Sequence, residues 1–342
     1  MGAKLDLAAI LAVRSGVDRF AIRTPVVRDT VLASHAGGPV WLKLDSLQPT
    51  GSFKIRGAAA KLTSLAAAEL AHGVITASTG NHGRAVAHVA NELGVKATIC
   101  LSERVPPGKI AAFARLGCTL DIGGPSQDAA FERAIAAAAS PIGPTLVHSI
   151  LDPVVLAGQG TCGLEIVEQV DDVATVVVPV SGGGLLSGVA TAVRALRPSA
   201  RIVGVSMTEG AVMHASLRAG HPVELPEAPT LADSLQGGIG LDNDTSFTIV
   251  RDLVDEIVLV DEDAIRDAMA YALVEHGVVL EGAGAVGIAA VRSGRLEADR
   301  VDARHDGGMV VVCSGRNAEP GTIAEIADEI AGGNAEHQRG DR

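Results

Sequence analysis

Lys54 is the side chain with the clearest potential for covalent chemistry in this sequence. It lies in residues 49–57 (PTGSFKIRG), where Gly51 permits a turn, Ser52 is a natural helix N-cap and the amphipathic run 58–70 follows. A cation is disfavoured at a helix N-terminus, so this position predicts a lowered pKa for Lys54. Such a lysine can act as an amine nucleophile, although a solvated lysine on a first helical turn is the simpler interpretation.

Residues 77–84 (ASTGNHGR) form a second candidate site, between a predicted strand at 74–76 and a helix that starts near Gly83. Small hydroxyls, glycines and backbone N–H groups at a helix N-terminus suit an anion such as a carboxylate. An ordinary capped turn remains an alternative interpretation, in which His82 is a packed histidine.

Residues 179–188 (PVSGGGLLSG) follow an apolar strand and open another helix. Three consecutive glycines let backbone amides converge on a phosphate, aided by the helix dipole. A dinucleotide fingerprint has the pattern G-x-G-x-x-G, and Ser187 occupies its last glycine position here. The loop therefore favours a single phosphate monoester. A nicotinamide-dependent oxidoreductase is the competing enzyme class, and no acidic residue ends the next strand (202–206) to bind its ribose.

Two further polar residues lie where an α/β sheet gathers its ligands. Ser314 follows the apolar run 310–313, at the carboxyl end of a predicted strand. Glu281 lies in the small-residue stretch 280–285 (LEGAGA), and a helix-capping role explains it at least as well as a binding role.

The composition limits the kinds of partner that this chain can bind. Its 342 residues predict about two domains, and a hydrophobic fraction of 47% indicates a globular core of Ala, Val, Leu and Ile. The net charge of −12 disfavours nucleic acid, because the one concentration of cations is Lys54 with Arg56. The four cysteines are far apart, which favours buried thiols over disulfides or zinc. No signal peptide or membrane-spanning run is recognisable, so we expect a cytoplasmic protein without a membrane partner.

The chain predicts an α/β fold, because short apolar strands alternate with Ala-rich helical stretches. The predicted strands are 73–76, 97–101, 119–122, 175–180, 202–206, 257–260 and 310–313, and the predicted helices include 83–93, 109–116, 127–139, 188–197 and 263–276. The α/β block 70–150 is expected to form a small domain inserted in a larger one, made of 1–69 and 151–330. The polar segment 331–342 predicts a disordered tail.

The motifs TGSFKIRGA, STGNHG, PVSGGGLLSG, LEGAGAVG and CSGRN occur in this order. Together they resemble the pyridoxal-phosphate enzymes of the tryptophan-synthase-β type (fold type II), in the branch of serine/threonine dehydratases and serine racemases. The resemblance extends from about Arg23 to Asn317. It implies two open parallel-sheet domains, a homodimer and pyridoxal 5'-phosphate as cofactor.

The resemblance also implies a role for each motif. Lys54 would form the internal aldimine and take the α-proton of the substrate. The cofactor would further contact Phe53, Asn81, Ser181, Gly182, Gly183, Gly184, Leu185, Glu281 and Ser314. The substrate carboxylate would be held by Ser78, Thr79, Asn81 and His82. Because Ser314 is neutral, the pyridine nitrogen need not be protonated, which suits prompt expulsion of a β-substituent. We therefore expect a dehydratase that converts a 3-hydroxy amino acid, such as L-threonine or L-serine, to a 2-oxo acid and ammonia.

Departures from the family pattern refine this expectation. Thr79 stands where racemases of this branch have a serine. The metal-binding segment of those racemases aligns with 206–212, where Ser206 and Val212 take the positions of their carboxylates and Glu209 is the one carboxylate of the segment. No metal is therefore predicted, and racemization is less favoured than elimination. The strings STGNHGRAVA, TLADSLQGGIGLDN and SGRN are most similar to hydroxyectoine-utilisation dehydratases, so the substrate could be a larger hydroxy amino acid, with Arg84 or Arg316 near its far end. Serine racemase, a β-replacement enzyme and a non-catalytic amino-acid-binding relative remain alternatives.

Overall fold

The computed structural model describes residues 5–105, 107–296 and 307–340. Within these ranges, strands and helices alternate along the chain. The strands are β1 (Val26–Asp29), β2 (Val40–Lys43), β3 (Val74–Ala77), β4 (Ala97–Leu101), β5 (Thr119–Ile122), β6 (Thr145–Leu146), β7 (Val173–Pro179), β8 (Arg201–Met207), β9 (Glu256–Val260) and β10 (Gly308–Val312). The α-helices are α1 (Leu7–Val17), α2 (Thr30–Ala36), α3 (Lys54–Ser64), α4 (Ala67–His72), α5 (Asn81–Glu92), α6 (Pro107–Ala114), α7 (Gln127–Ala138), α8 (Pro153–Gln169), α9 (Gly184–Leu196), α10 (Val212–Ala219), α11 (Ser246–Leu253), α12 (Glu262–His276), α13 (Gly282–Arg292) and α14 (Pro320–Gly340).

The larger sheet has the strand order β1-β2-β10-β7-β8-β9. Its strands are parallel except for β1, which pairs antiparallel with β2 at one edge. Every residue of β7 and β10 is buried, as expected for central strands with helices on both faces. Val177 and Val311 pack in the hydrophobic cluster that contains α13, whereas Val176 and Val310 pack in the cluster that contains α9.

The smaller sheet has the order β5-β4-β3-β6, and all of its strands are parallel. These strands all lie between residues 74 and 146, inside the block 70–150. The predicted α/β class is confirmed by the two parallel sheets and their covering helices. The domain boundaries at 69/70 and 150/151 stay a prediction.

Most element ends match the sequence prediction within two residues, and the differences have local causes. Strands β1, β2 and β6 were not predicted, because none of them is a long apolar run. The run 58–70 divides into α3 and α4, since Leu65 and Ala66 adopt extended backbone. The backbone of α14 is helical to Gly340, which differs from the predicted disordered tail at 331–342. Residues 341–342 lie outside the described part.

Four buried charges, which we call the core ion cluster, fix α3 against β2 and α8: Lys43, Asp45, Arg56 and Glu165. Arg56 donates to Asp45 at 2.7 and 2.8 Å and to Glu165 at 2.6 Å, and Lys43 donates to Glu165 at 2.5 Å. Burial raises the pKa of Asp45, but the neighbouring Arg56 outweighs this effect and holds it below its usual value. Arg56 is therefore an internal ion-pair partner and contributes nothing to a basic surface.

The described residues agree with the expectation of free thiols. All four cysteines are unpaired, and three of them (Cys100, Cys162 and Cys313) are buried. Among the described helices, none is both long and apolar enough to cross a bilayer.

Candidate active site

The parallel register of the larger sheet brings two of the predicted motifs to one edge. Val311 of β10 pairs with Val177 of β7. Counting three residues onward along both strands places Ser314 level with Val180, next to the glycine loop that begins at Ser181. Ser314 is almost fully buried at this edge. Sequence-distant polar groups therefore meet at the carboxyl ends of adjacent strands, as ligand-binding groups do in open α/β sheets.

The segment before Lys54 is tied to the same strand end. Ser52 forms an isolated antiparallel bridge with Gly315, and the Phe53 N–H donates to the Ser314 carbonyl at 3.0 Å. Gly51 has φ +78°, which confirms the predicted turn. The predicted N-cap role of Ser52 is wrong. The N-cap residue is Phe53, which makes no side-chain cap, because the bridge holds Ser52 outside the helix.

Lys54 is the first residue of α3, and its pKa is lowered to about 8. Burial is the main cause, and attraction by Glu281 opposes it in part. The direction agrees with the sequence expectation, although burial replaces the helix N-terminus as the stated cause. The Lys54 ammonium lies 5.1 Å from the centre of the Phe53 ring. A substantial fraction of Lys54 is thus a neutral amine near pH 8, which a nucleophile requires.

The glycine loop is confined so closely that side chains do not fit. A Cβ atom at Gly182 would lie 2.8 Å from Ile150 Cδ1, and one at Gly184 would lie 2.9 Å from the Ser149 carbonyl oxygen. Gly183 has φ +85° and is the N-cap of α9, which therefore starts about four residues earlier than predicted. The first N–H groups of this helix have no partner inside it, so they remain available to an anion.

Two residues that the sequence analysis missed support this loop from outside. Ser246 Oγ donates to the Gly182 carbonyl at 2.6 Å, and Asn243 Nδ2 donates to Ser246 Oγ at 2.9 Å. Both residues are fully buried. An Asn-x-x-Ser pair just before a helix is a local capping signal, but nothing local shows that it contacts residue 182, which is distant in sequence.

Asn81, Glu281 and Asn317 form a hydrogen-bonded chain beside Lys54. Asn81 Nδ2 donates to Glu281 Oε1 at 2.7 Å, and the Asn317 N–H donates to Glu281 Oε2 at 3.0 Å. Asn317 Nδ2 donates to Asn81 Oδ1 at 2.6 Å and to the Thr50 carbonyl at 2.9 Å. We call Lys54, Asn81, Glu281 and Asn317 the active-site network. The contribution of Asn317 was not predicted.

Glu281 is the N-cap residue of α13, but its side chain caps no backbone N–H of that helix. The helix-capping interpretation is therefore wrong, because the carboxylate points to Asn81 and Asn317. The pKa of Glu281 is raised to about 7: burial is the main cause and Asp233 adds to it, whereas the hydrogen bond from Asn81 opposes the rise. Near neutral pH this buried carboxyl carries a proton in part of the molecules.

The predicted carboxylate loop, with Ser78, Thr79, Asn81 and His82, connects β3 to α5. His82 Nε2 lies 2.9 Å from the Val147 carbonyl, and a carbonyl only accepts, so Nε2 carries the hydrogen. Burial and Lys54 lower the pKa of His82 to about 3, so the ring is neutral and Nδ1 is an acceptor. The neutral imidazole therefore has no N–H left to donate to a carboxylate. The backbone N–H of His82, in the first turn of α5, is the group that can.

Arg84 and Arg316 lie on the same cleft, which has a volume of about 210 Å³. The lining also includes Gly51, Asn317 and His88, and it contains no carboxylate. The two arginines thus place positive charge on a cleft that Asn317 of the active-site network also lines.

Comparison with known families agrees with these features. Residues 17–315 match the sequence family described as pyridoxal-phosphate-dependent enzymes. The chain belongs to this family. It is 45% identical over 329 residues to a putative threonine dehydratase of Sinorhizobium fredii, covering 95% of this chain and 96% of the relative. It is 40% identical to the L-threonine ammonia-lyase of Thermotoga maritima, covering 90% of this chain and 74% of that protein. The structure of maize serine racemase covers 98% of this chain with a TM-score of 0.85 and 31% identity, and this chain covers all of it.

The residues of the site fit pyridoxal phosphate, the cofactor of the family. The glycine loop lies at the N-terminus of a helix and is packed so closely against Ile150 and Ser149 that only glycines fit there, which leaves its backbone N–H groups to bind a phosphate. Lys54 supplies an amine with a lowered pKa, and Ser314 supplies a buried neutral hydroxyl at the neighbouring strand end. In chemical type, the glycine loop matches the phosphate of the cofactor, the amine matches its aldehyde and the hydroxyl matches its ring nitrogen.

Proposed function

We propose that this protein is a pyridoxal-phosphate-dependent dehydratase, an ammonia-lyase that converts a 3-hydroxy amino acid to a 2-oxo acid and ammonia. The observation that carries the proposal is the neutral Ser314 beside the glycine loop and the Lys54 segment. Pyridoxal phosphate, when bound, supplies an electron-accepting ring conjugated to the α-carbon of the amino acid. A neutral partner for the ring nitrogen favours rapid loss of a β-substituent over a long-lived carbanion.

Each side chain has a distinct role in this proposal. Lys54 holds the cofactor and accepts the α-proton of the substrate, because a neutral amine is accessible near its pKa of about 8. Phe53 packs beside the ring, and Asn81 donates to the phenolic oxygen. Glu281 orients Asn81 through their hydrogen bond of 2.7 Å.

The two helix N-termini bind the two anionic groups. The phosphate is held by Ser181 and by the backbone N–H groups of residues 182–185 at the start of α9. The substrate carboxylate is held by Ser78, Thr79 and the backbone N–H groups that begin α5, including those of Asn81 and His82. Holding the cofactor at one helix N-terminus and the substrate carboxylate at the other would orient the two molecules relative to each other.

L-threonine or L-serine is the proposed substrate class. The names of the Sinorhizobium and Thermotoga relatives support threonine. A larger, hydroxyectoine-derived hydroxy amino acid is the finer alternative, supported by the local sequence strings and by Arg84 and Arg316 on the adjacent cleft. We further propose a cytoplasmic homodimer, for which light scattering should give about twice 34.7 kDa.

Serine racemization is a second candidate function, favoured by the similarity to maize serine racemase. Thr79 disfavours it, because a β-branched side chain has restricted rotamers and is a poor second acid/base. We therefore expect D-serine to form more slowly than pyruvate from L-serine.

A substrate panel tests both candidates. Purified protein with pyridoxal phosphate is incubated with L-threonine, L-serine, D-serine and a hydroxyectoine-derived hydroxy amino acid, and 2-oxo acid, ammonia and D-serine are measured. Equal amounts of 2-oxo acid and ammonia are expected. Formation of D-serine as the main product would replace the dehydratase by a racemase.

A further inference from the structure

His148 lies between the two anion-binding loops, although no motif of the sequence marked it. It follows β6, which pairs in parallel with β3, and Leu146 is level with Ile75. Two residues onward, His148 is level with Ala77, the residue just before the carboxylate loop. The backbone at Val147, beside His148, accepts hydrogen bonds from Thr76 and His82.

The residues after His148 contact the other loop. The Ser149 carbonyl oxygen lies 2.9 Å from the position of a Cβ atom at Gly184, and Ile150 lies 2.8 Å from that at Gly182. The segment 147–150 thus crosses from the carboxylate loop to the phosphate loop. His148 is in the middle of this crossing.

Backbone hydrogen bonds fix the tautomer of His148. Its Nδ1 accepts from the N–H groups of Ile150 and Leu151, both at 3.1 Å. A backbone N–H only donates, so Nδ1 must present its lone pair and the neutral ring must carry its hydrogen on Nε2. The Phe131 ring, edge-to-face at 4.9 Å, holds the imidazole from one side. Within residues 5–105, 107–296 and 307–340, Nε2 has no hydrogen-bond acceptor.

The imidazole remains neutral at ordinary pH. Burial lowers the pKa of His148 to about 4; Asp152 and Asp242 raise it, and Lys54 lowers it. His148 is thus the reverse of His82, which donates through Nε2 and leaves its acceptor Nδ1 open. Of these two histidines, His148 alone has a ring N–H without an acceptor in the part of the chain that the structure describes.

We propose that His148 is a fixed hydrogen-bond donor of the active site, whose Nε2–H binds an oxygen of the bound molecules. That oxygen belongs either to the cofactor phosphate or to the hydroxyl group of the substrate. If the acceptor is the substrate hydroxyl, the inference rests on the proposed function; if the acceptor is the cofactor phosphate, it does not. A neutral donor stabilises negative charge on such an oxygen without transferring its proton, and its fixed ring requires no reorganisation.

Two substitutions separate the donor from the backbone bonds that hold it. In His148→Asn, the amide oxygen replaces Nδ1 as acceptor for Ile150 and Leu151, but the reach of Nε2 is lost. In His148→Gln, the amide nitrogen reaches the former position of Nε2, but the acceptor at the Nδ1 position is lost. His72→Asn, at the exposed end of α4, is the control for a histidine substitution elsewhere.

The measurements are the dissociation constant of pyridoxal phosphate by equilibrium dialysis, kcat and KM with L-threonine, and Tm. We expect His148→Asn to keep the Tm of the wild-type protein. Its cofactor affinity or its kcat/KM should fall by about 10- to 100-fold, which is the effect of losing one hydrogen bond to a charged group. A loss in cofactor affinity identifies the phosphate as acceptor; a loss in kcat/KM at unchanged cofactor affinity identifies the substrate hydroxyl. His148→Gln should lower Tm and recover most of the lost binding or turnover.

The proposal is overturned if His148→Asn leaves both cofactor affinity and kcat/KM unchanged. It is also overturned if both variants lose activity only in proportion to a fall in Tm, because His148 would then serve the backbone alone. If the wild-type protein converts none of the panel substrates, the proposed function fails separately, and cofactor affinity alone decides the role of His148.

Discussion

Helix α3 contributes residues to both the core ion cluster and the active-site network. The charged groups of the cluster form ion pairs, whereas those of the network do not. In the cluster, Arg56 and Lys43 contact carboxylates at 2.5 to 2.9 Å. In the network, Lys54 has no carboxylate within ion-pair distance among the described residues, and Glu281 accepts only from neutral donors. Lys54 and Arg56 are two residues apart on α3.

The paired charges of the cluster therefore have a structural role, whereas the unpaired groups of the network are suited to chemistry. The ion pairs of the cluster tie α3 to β2 and α8. Lys54 and Glu281 form no ion pair among the described residues. Burial shifts their pKa values toward neutrality, to about 8 for Lys54 and about 7 for Glu281, so they can exchange protons. The cluster fixes the helix, and we propose that the network at its N-terminus does the chemistry.

The largest expected effect is on activity, from Lys54→Ala. Turnover of L-threonine should fall by more than roughly 1000-fold, because the group acts at the reacting atoms. Tm of the cofactor-free protein should not fall, since burial of the charged amine opposes folding. Lys54→Arg keeps a charge but not a basic amine near neutral pH, so it should be equally inactive. Substantial activity in either variant would remove Lys54 from the chemistry.

The largest expected effect on stability comes from Arg56→Met. It leaves Asp45 buried without its guanidinium, which costs about 3–5 kcal/mol of unfolding free energy. The matched control is Arg14→Met, which removes the partly exposed pair with Glu168 and should cost less than about 1 kcal/mol. Urea denaturation of both variants measures the difference. Equal costs would contradict the assignment of the core ion cluster as structural.

The pH dependence of stability isolates Glu281. Its pKa is raised in the folded protein from 4.5 to about 7, so the folded state binds the proton more tightly. The resulting stability is present below pH 4.5 and is lost as the pH rises to about 7, on the order of 3 kcal/mol in total. In cofactor-free Glu281→Gln this loss should be absent between pH 5 and 8. Parallel stability curves for the variant and the wild type would show that Glu281 has an ordinary pKa.

The smallest expected effect comes from Gly183→Ala, compared with Gly220→Ala. Both glycines have positive φ, +85° and +79°, so both substitutions incur backbone strain of about 1–2 kcal/mol. Only at Gly183 would the new Cβ lie 2.9 Å from another side chain, Met213, whereas nothing lies near it at Gly220. Because the strain at Gly183 falls in the loop proposed to hold the phosphate, pyridoxal phosphate should bind about tenfold more weakly in Gly183→Ala alone. Equal affinities in dialysis would show that the loop does not hold the phosphate.

The fold could be predicted largely from short apolar runs. Strands β4, β7 and β10 are continuous and apolar, so periodicity located them within two residues. Strand β2 was missed because it is short and ends in Lys43, whose charge is neutralised by Glu165 from far along the chain. A local pattern cannot show such a long-range partner.

The parts of the site that lie within one continuous segment could be predicted from the sequence. The glycine loop and the Lys54 turn have local signals in their glycines. Asn317 and Ser246 contact residues far along the chain, Asn81 and Gly182, so nothing beside them in sequence indicated a role. The imidazole of His82 illustrates the same limit, because its donor is committed to Val147, 65 residues away.

The visible absorption spectrum of the purified protein with pyridoxal phosphate, before and after L-threonine, tests the central claim most directly. We predict a yellow band that depends on Lys54, shifts on addition of L-threonine and accompanies accumulation of a 2-oxo acid. A band that ignores L-threonine and L-serine would move the proposal to a larger hydroxy amino acid. A protein that stays colourless with added pyridoxal phosphate would contradict the account.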